Sequence, residues 1–255
     1  MPYYKKLAAG GTIGGLWPND GDGIAQSDKQ HGMPPIFEKG GFKVIDPGRF
    51  DMPASNYNAQ IGAFKSAGVD IIEGVLPPPE FTTFWNGCFQ QAYQPKVVYV
   101  GKACEFPAAM APLGDKAIGL TVETWWSKFH PYNSGMTGQT SMQLADEYEK
   151  VSGREWSLPL GYRHSLFELV FDTLKRTQNL DDKGSIRDAL KSTSYKSIVG
   201  PIDFTKGPFP NTCMTPLVIS QWTKGRKWPI ELQIVDNSLY PEIPVTAEAT
   251  AMKYS

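Results

Sequence analysis

Val69-Asp70-Ile71-Ile72-Glu73-Gly74-Val75-Leu76 is a mostly apolar run that begins after Gly68 and stops at Pro77-Pro78-Pro79. A short run with such punctuation reads as a buried strand. Beyond the prolines, Phe81, Phe84, Trp85, Cys88 and Ala92 recur at helical spacing and trace one face of a helix. Lys96-Val97-Val98-Tyr99-Val100, closed by Gly101, is the next strand. A strand, a crossover helix and a second strand make a parallel pair, because a tight turn cannot join parallel strands.

Reading outward toward the N-terminus extends the pattern. Tyr57, Ile61 and Phe64 mark a helix with Ser55 as its expected N-cap and Gly68 at its end. Phe42-Lys43-Val44-Ile45 is a strand stopped by Asp46-Pro47-Gly48, and Met33-Pro34-Pro35-Ile36-Phe37 starts a helix that ends at Gly40-Gly41. The first strand, Thr12-Ile13-Gly14-Gly15-Leu16-Trp17, leaves into Pro18-Asn19-Asp20. This alternation predicts an α/β, doubly wound parallel sheet with helices on both faces. Ligands of such sheets bind beyond the carboxyl ends of the strands, so the loops after Trp17, Leu76 and Val100 are the ones of interest.

Toward the C-terminus the character changes near residue 130, where His130-Pro131-Tyr132-Asn133-Ser134-Gly135 reads as a crossing segment. Helices are expected through Leu144, Tyr148 and Val151, ending at Gly153, then through Phe167, Val170, Phe171 and Leu174, and from Asp181-Asp182 through Ile186 and Leu190. Strands return after residue 197, with Thr215 to Trp222 pairing Ile230, Leu232 and Ile234 across a turn at Lys224-Gly225.

The 255 residues carry 25 basic and 26 acidic side chains, a formal charge of -1. That balance supplies no basic stripe for a phosphate backbone, so no nucleic-acid partner is expected. No apolar run is long enough to span a bilayer. The stretch Met1-Pro2-Tyr3-Tyr4-Lys5-Lys6, with Leu7-Ala8-Ala9 after it, is too short in apolar residues for an export signal. Cys88, Cys104 and Cys213 suit neither a disulfide framework nor a zinc site, and Cys88 reads as a buried thiol. His31, His130 and His164 share no metal-ligand spacing, so neither metal nor cofactor is expected.

Several motifs fail on inspection. Asn19-Asp20-Gly21-Asp22-Gly23 would place Pro18 and Lys29 at calcium-loop positions that need carboxylates, so it reads as a turn ahead of a helix. The glycines at 10, 11, 14 and 15 precede or lie within the first strand, whereas a dinucleotide fingerprint needs them after it. Asp20 with Glu80 or Glu105 poses as a carboxylate pair, but charged loop residues are ordinarily solvated. Nucleophile elbow, phosphate loop and zinc-protease signatures are absent from the sequence. Binding is favoured over chemistry.

The order of several stretches resembles the type I periplasmic binding proteins of the branched-chain amino-acid (leucine/isoleucine/valine) kind. They are Gly14 to Gly23, Ile61 to Asp70, Phe81-Thr82-Thr83-Phe84-Trp85, Lys102-Ala103, Trp125-Trp126, and Ile198-Val199-Gly200-Pro201-Ile202-Asp203-Phe204. The resemblance implies two α/β lobes joined by three crossings, closing like a hinge over a small solute. It assigns residues 8–130 to the second lobe, 131–205 to a mainly helical part of the first, and 206–255 to strands returning mostly to the second. It also implies that a leading half-lobe of the family, with its signal peptide, has no counterpart here.

Function follows from the same resemblance: a periplasmic solute-binding subunit of an ABC importer rather than an enzyme, with permease subunits as partners. A ligand-sensing regulator of the same fold and a doubly wound α/β enzyme are the alternatives. By position, the family's contacts fall on Asp22, on Leu76 and Pro78, and on Lys102 and Ala103, with Trp17 at the first strand's mouth. Tyr162 and His164, at the start of a first-lobe helix, complete the candidate ligand-binding set. Where the family offers an acid to the solute's ammonium, this chain has Lys102, which implies a carboxylate-bearing solute over leucine. One of Trp125 and Trp126 is expected to point inward and the other toward the cleft.

Overall fold

The computed structural model describes residues 1–254 and divides into two compact units. Among the described residues, unit 1 comprises 1–123, 219–236 and 247–254, and unit 2 comprises 124–218 and 237–246. The expected boundary at 130 therefore lies at 123/124, and residues 206–218 and 237–246 stay with unit 2.

Unit 1 is built on a sheet ordered β2-β1-β3-β4-β5-β8-β9. Its parallel strands are β1 (Thr12–Leu16), β2 (Lys43–Ile45), β3 (Ile71–Leu76), β4 (Val97–Lys102) and β5 (Thr121–Thr124). The hairpin β8 (Val218–Lys224) and β9 (Ile230–Asp236) closes one edge, with Trp222 opposite Leu232. All of β3 is buried, as a parallel strand covered on both faces must be.

Register shows how the two faces are covered. Ile13, Ile71 and Val97 lie in one row and pack with Tyr3 and Tyr4 of α1 (Pro2–Ala8) and Phe37 of α3 (Met33–Lys39). On the other face Gly14 lies against α4 (Asn58–Ser66), where a β-carbon would come within 2.7 Å of the Phe64 ring. Helices thus lie on both faces. The buried side of α5 (Pro78–Gln90) is Phe81, Phe84, Trp85 and the free thiol Cys88.

Several local expectations are corrected. Residues 2–8, weighed above only as a leader, form α1, because Tyr3 and Tyr4 have a core to enter. Ser55 caps nothing: Tyr57 is buried with its hydroxyl bound to Glu80 at 2.5 Å, so α4 begins only after it. Ala92 lies beyond the end of α5 and is exposed, and Tyr93 is the buried residue there. Gly101 does not close β4; it pairs with Val75, and the strand runs on to Lys102 opposite Leu76.

Unit 2 carries α7 (Ser141–Ser152), α8 (Pro159–Arg176), α9 (Lys183–Lys191) and a two-stranded hairpin of β6 (Ser194–Ser197) and β7 (Gly200–Asp203). Thr140 and Gln143 form a capping box at the start of α7, and Gly153 ends it in the left-handed conformation. Asp182 caps α9 through the amides of Gly184 and Ser185.

Candidate functional site

The carboxyl ends of β1, β3 and β4 carry most of the candidate residues. After β1 the Asp20 carboxylate accepts the Gly23 amide at 2.8 Å and so starts α2 (Gly21–Gln26). Gly23 has no alternative, since a β-carbon would sit 1.9 Å from the Pro18 carbonyl oxygen. This turn holds Asp22 in the first turn of α2.

Lys102 ends β4 with φ +64°, ψ -55°, a backbone conformation that costs a side-chain-bearing residue on the order of 1–3 kcal/mol. Its amide donates to Glu105 Oε1 at 3.0 Å. Its ammonium forms an ion pair with Asp22, which holds the lysine's pKa above the usual value. Both side chains remain partly exposed, 43% for Lys102 and 57% for Asp22. The chain thus joins two positions eighty residues apart into a surface cation with one acidic partner.

The other unit 1 candidates differ in accessibility. Pro78 is half-buried and opens α5. Leu76 and Ala103 are fully buried, so neither offers a side-chain surface to a solute. Trp17 is 1% exposed; its ring folds back over Gly15, and its indole donates to Glu73 Oε2 at 3.1 Å. Trp17, a candidate contact by its place at the first strand's mouth, is therefore a core residue, because burial hides its ring and a buried acid captures its only donor.

Beneath the strand ends lies a polar group that sequence reasoning passed over. Gly15, Glu73, Tyr99 and Thr121 form one row across β1, β3, β4 and β5. Burial drives the Glu73 carboxyl up to about 8, against a lowering by the Trp17 hydrogen bond. Burial likewise pushes Glu123 up to about 7, offset in part by hydrogen bonds that include one from Tyr99. Glu123 Oε2 has no hydrogen-bond partner, and its Oε1 fills the space over Gly101. The available signal was an acid inside each strand, Glu73 in the apolar β3 and Glu123 in β5.

In unit 2 the Tyr162 hydroxyl is bonded to Thr215, and its ring stands edge-on to Trp125 with centroids 4.6 Å apart. His164 Nε2 lies 2.8 Å from Ser134 Oγ. Trp126 is fully buried against Trp156, whereas Trp125 is half-buried. His130 accepts from the Ser127 amide, and burial lowers its pKa to about 4. Among the described residues no three His, Cys, Asp or Glu side chains are grouped to hold a metal, and no helix is long and apolar enough to cross a membrane.

Residues 28–227 match the family described as periplasmic binding protein. A leucine-binding protein of Thermotoga maritima MSB8 superposes with TM-score 0.71 at 14% identity, over 92% of this chain and 63% of that one. A solute-binding protein of an ABC transporter from Rhodopseudomonas palustris BisB5, in complex with 3,4-dihydroxybenzoic acid, gives TM-score 0.66 at 19% identity, over 89% and 61%. A second R. palustris solute-binding protein, in complex with benzoate, gives 0.68 at 10% identity, over 99% and 63%. The chain spans less than two thirds of the length of each. No curated protein matches the sequence.

Proposed function

We propose, from a chain that belongs to the periplasmic binding protein family, that it binds a small carboxylate-bearing solute for delivery to the permease subunits of an ABC importer. One observation carries the solute class. Lys102 presents a partly exposed ammonium at the carboxyl end of a central parallel strand, where solutes of doubly wound sheets are received. An ammonium is a point charge with three donors, suited to a carboxylate and unsuited to a solute's α-amino group.

The R. palustris proteins found with benzoate and 3,4-dihydroxybenzoic acid support this reading, as carboxylate binders of the same fold. The leucine-binding relative supports an amino acid, but this chain would then set a lysine near the ammonium of its solute. Asp22 pairs with the Lys102 ammonium and is the group a carboxylate displaces. Pro78 is the other accessible candidate on unit 1. Tyr162 and His164, engaged by Thr215 and Ser134, stay as candidates in unit 2.

The test is amide NMR on the full chain titrated with benzoate and, separately, with leucine. Benzoate is expected to shift Gly101, Lys102, Ala103 and Asp22, and Lys102→Ala to weaken it about tenfold to a hundredfold, the scale of one charge-assisted hydrogen bond. Leucine binding that Lys102→Ala leaves unchanged refutes the solute class.

A further inference from the structure

Lys102 sits in a conformation that is costly for a lysine. With φ +64° and ψ -55° it lies outside even the left-handed helical region and close to the strained γ-turn of positive φ. Such a residue keeps its conformation when its surroundings over-determine it. Before it, β4 is held in register by Gly101 opposite Val75 and Lys102 opposite Leu76. After it, Ala103 and Cys104 are fully buried, and the Trp222 indole donates to the Cys104 carbonyl at 2.8 Å. Between these anchors the Lys102 amide donates to Glu105 Oε1 at 3.0 Å, and Glu105 is half-buried rather than solvated.

We propose that Glu105 is the positioning residue of the solute site: its carboxylate pins the Lys102 amide, fixes φ there and so aims the ammonium. That role presupposes the carboxylate-binding Lys102 of the proposed function. Aim matters because the ion pair with Asp22 is a long reach. Asp22 follows β1, and β3 lies between β1 and β4, so the strands the two residues follow are two spacings apart, about 10 Å. Over that span the direction of the Cα–Cβ bond decides where the ammonium arrives, and φ sets that direction. Freed from Glu105, Lys102 relaxes to a negative φ and its ammonium swings away from the mouth of β3. Charge alone would give Glu105 the opposite effect. An acid beside the site repels a carboxylate solute, so a purely electrostatic Glu105 weakens binding, whereas a positioning Glu105 strengthens it.

Calorimetric titration of the full chain with benzoate separates these roles. Glu105→Ala is expected to weaken benzoate about tenfold, the scale of one hydrogen bond. Glu105→Gln keeps an oxygen acceptor for the Lys102 amide and should stay within about threefold of the wild type. In a Lys102→Ala background, Glu105→Ala should cost no further affinity, because it acts through the ammonium. Tighter binding in both Glu105 variants would make Glu105 a repelling charge, and equal losses with and without Lys102 a general structural support. Either result overturns the positioning role. A second measurement needs no solute: the one-bond Cα–Hα coupling of Lys102, read by NMR, reports the sign of φ. Positive φ is expected in the wild type and in Glu105→Gln, and negative φ in Glu105→Ala. Positive φ retained in Glu105→Ala overturns the role whatever the chain binds. The expected change of sign in a chain that ignores benzoate supports the hold on Lys102 and refutes the carboxylate reading instead.

Discussion

The Trp17 indole donates to Glu73 Oε2 at 3.1 Å, both residues being all but excluded from solvent. A tryptophan at the mouth of the first strand is thereby turned from a surface for stacking into the partner of a buried acid. Replacing it with phenylalanine keeps most of the ring volume and removes the donor. Trp17→Phe is expected to cost about 1–3 kcal/mol, the scale of a buried polar group left unpaired. Urea unfolding with Glu73→Leu as background, which removes the acceptor, checks it: a loss unchanged in that background would assign the effect to packing alone.

Stability should fall as pH rises through neutrality. Glu73 and Glu123 are raised in the folded chain to about 8 and about 7, while the unfolded carboxyls titrate near the ordinary value of 4.5. Between those values the folded state holds protons that the unfolded state has released, so unfolding becomes easier with each rise in pH. This contribution is complete below about 4.5 and is lost by about 8. Thermal midpoints from pH 5 to 9 should decline, and Glu73→Gln should flatten the decline. A flat wild-type profile would falsify the assignment.

Gly101→Ala tests the packing of Glu123. The added methyl would meet Glu123 Oε1 at 2.9 Å, the far end of a flexible side chain that can shift, so the cost is expected at about 1 kcal/mol, the low end for overpacking, and alanine is otherwise the better strand residue. Glu123→Ala should relieve the clash. A double-mutant cycle is expected to show a coupling of about 0.5–3 kcal/mol, and strict additivity would count against the contact.

Asp22→Asn should tighten carboxylate binding several-fold rather than weaken it. Asp22 competes with the solute for the Lys102 ammonium, so neutralising it removes a competitor without removing the cation. Benzoate titration of this variant beside Lys102→Ala separates the two roles. A parallel loss of affinity in both would make Asp22 a direct contact instead.

The run Val69–Leu76, its proline stop and the Phe81–Cys88 face determined the parallel α/β architecture by themselves, because burial on both faces and helical period are written in local spacing. Local spacing also located the loop after β4, but not the strand's extension to Lys102, which depends on pairing with Leu76. Tertiary structure alone decided that Tyr3 and Tyr4 make a helix, that Trp17 faces inward, and that Glu73 is held as a buried acid and Glu123 as a half-buried one, both with raised pKa. It alone joined Asp22 to Lys102, and it anchored Glu168 of α8 on the amides of Gly135 and Ile198. The physical reason is common to these cases. Period and punctuation report what a residue does with its chain neighbours, whereas burial, pKa and ion pairing are set by groups far away in sequence that only the folded chain brings within reach.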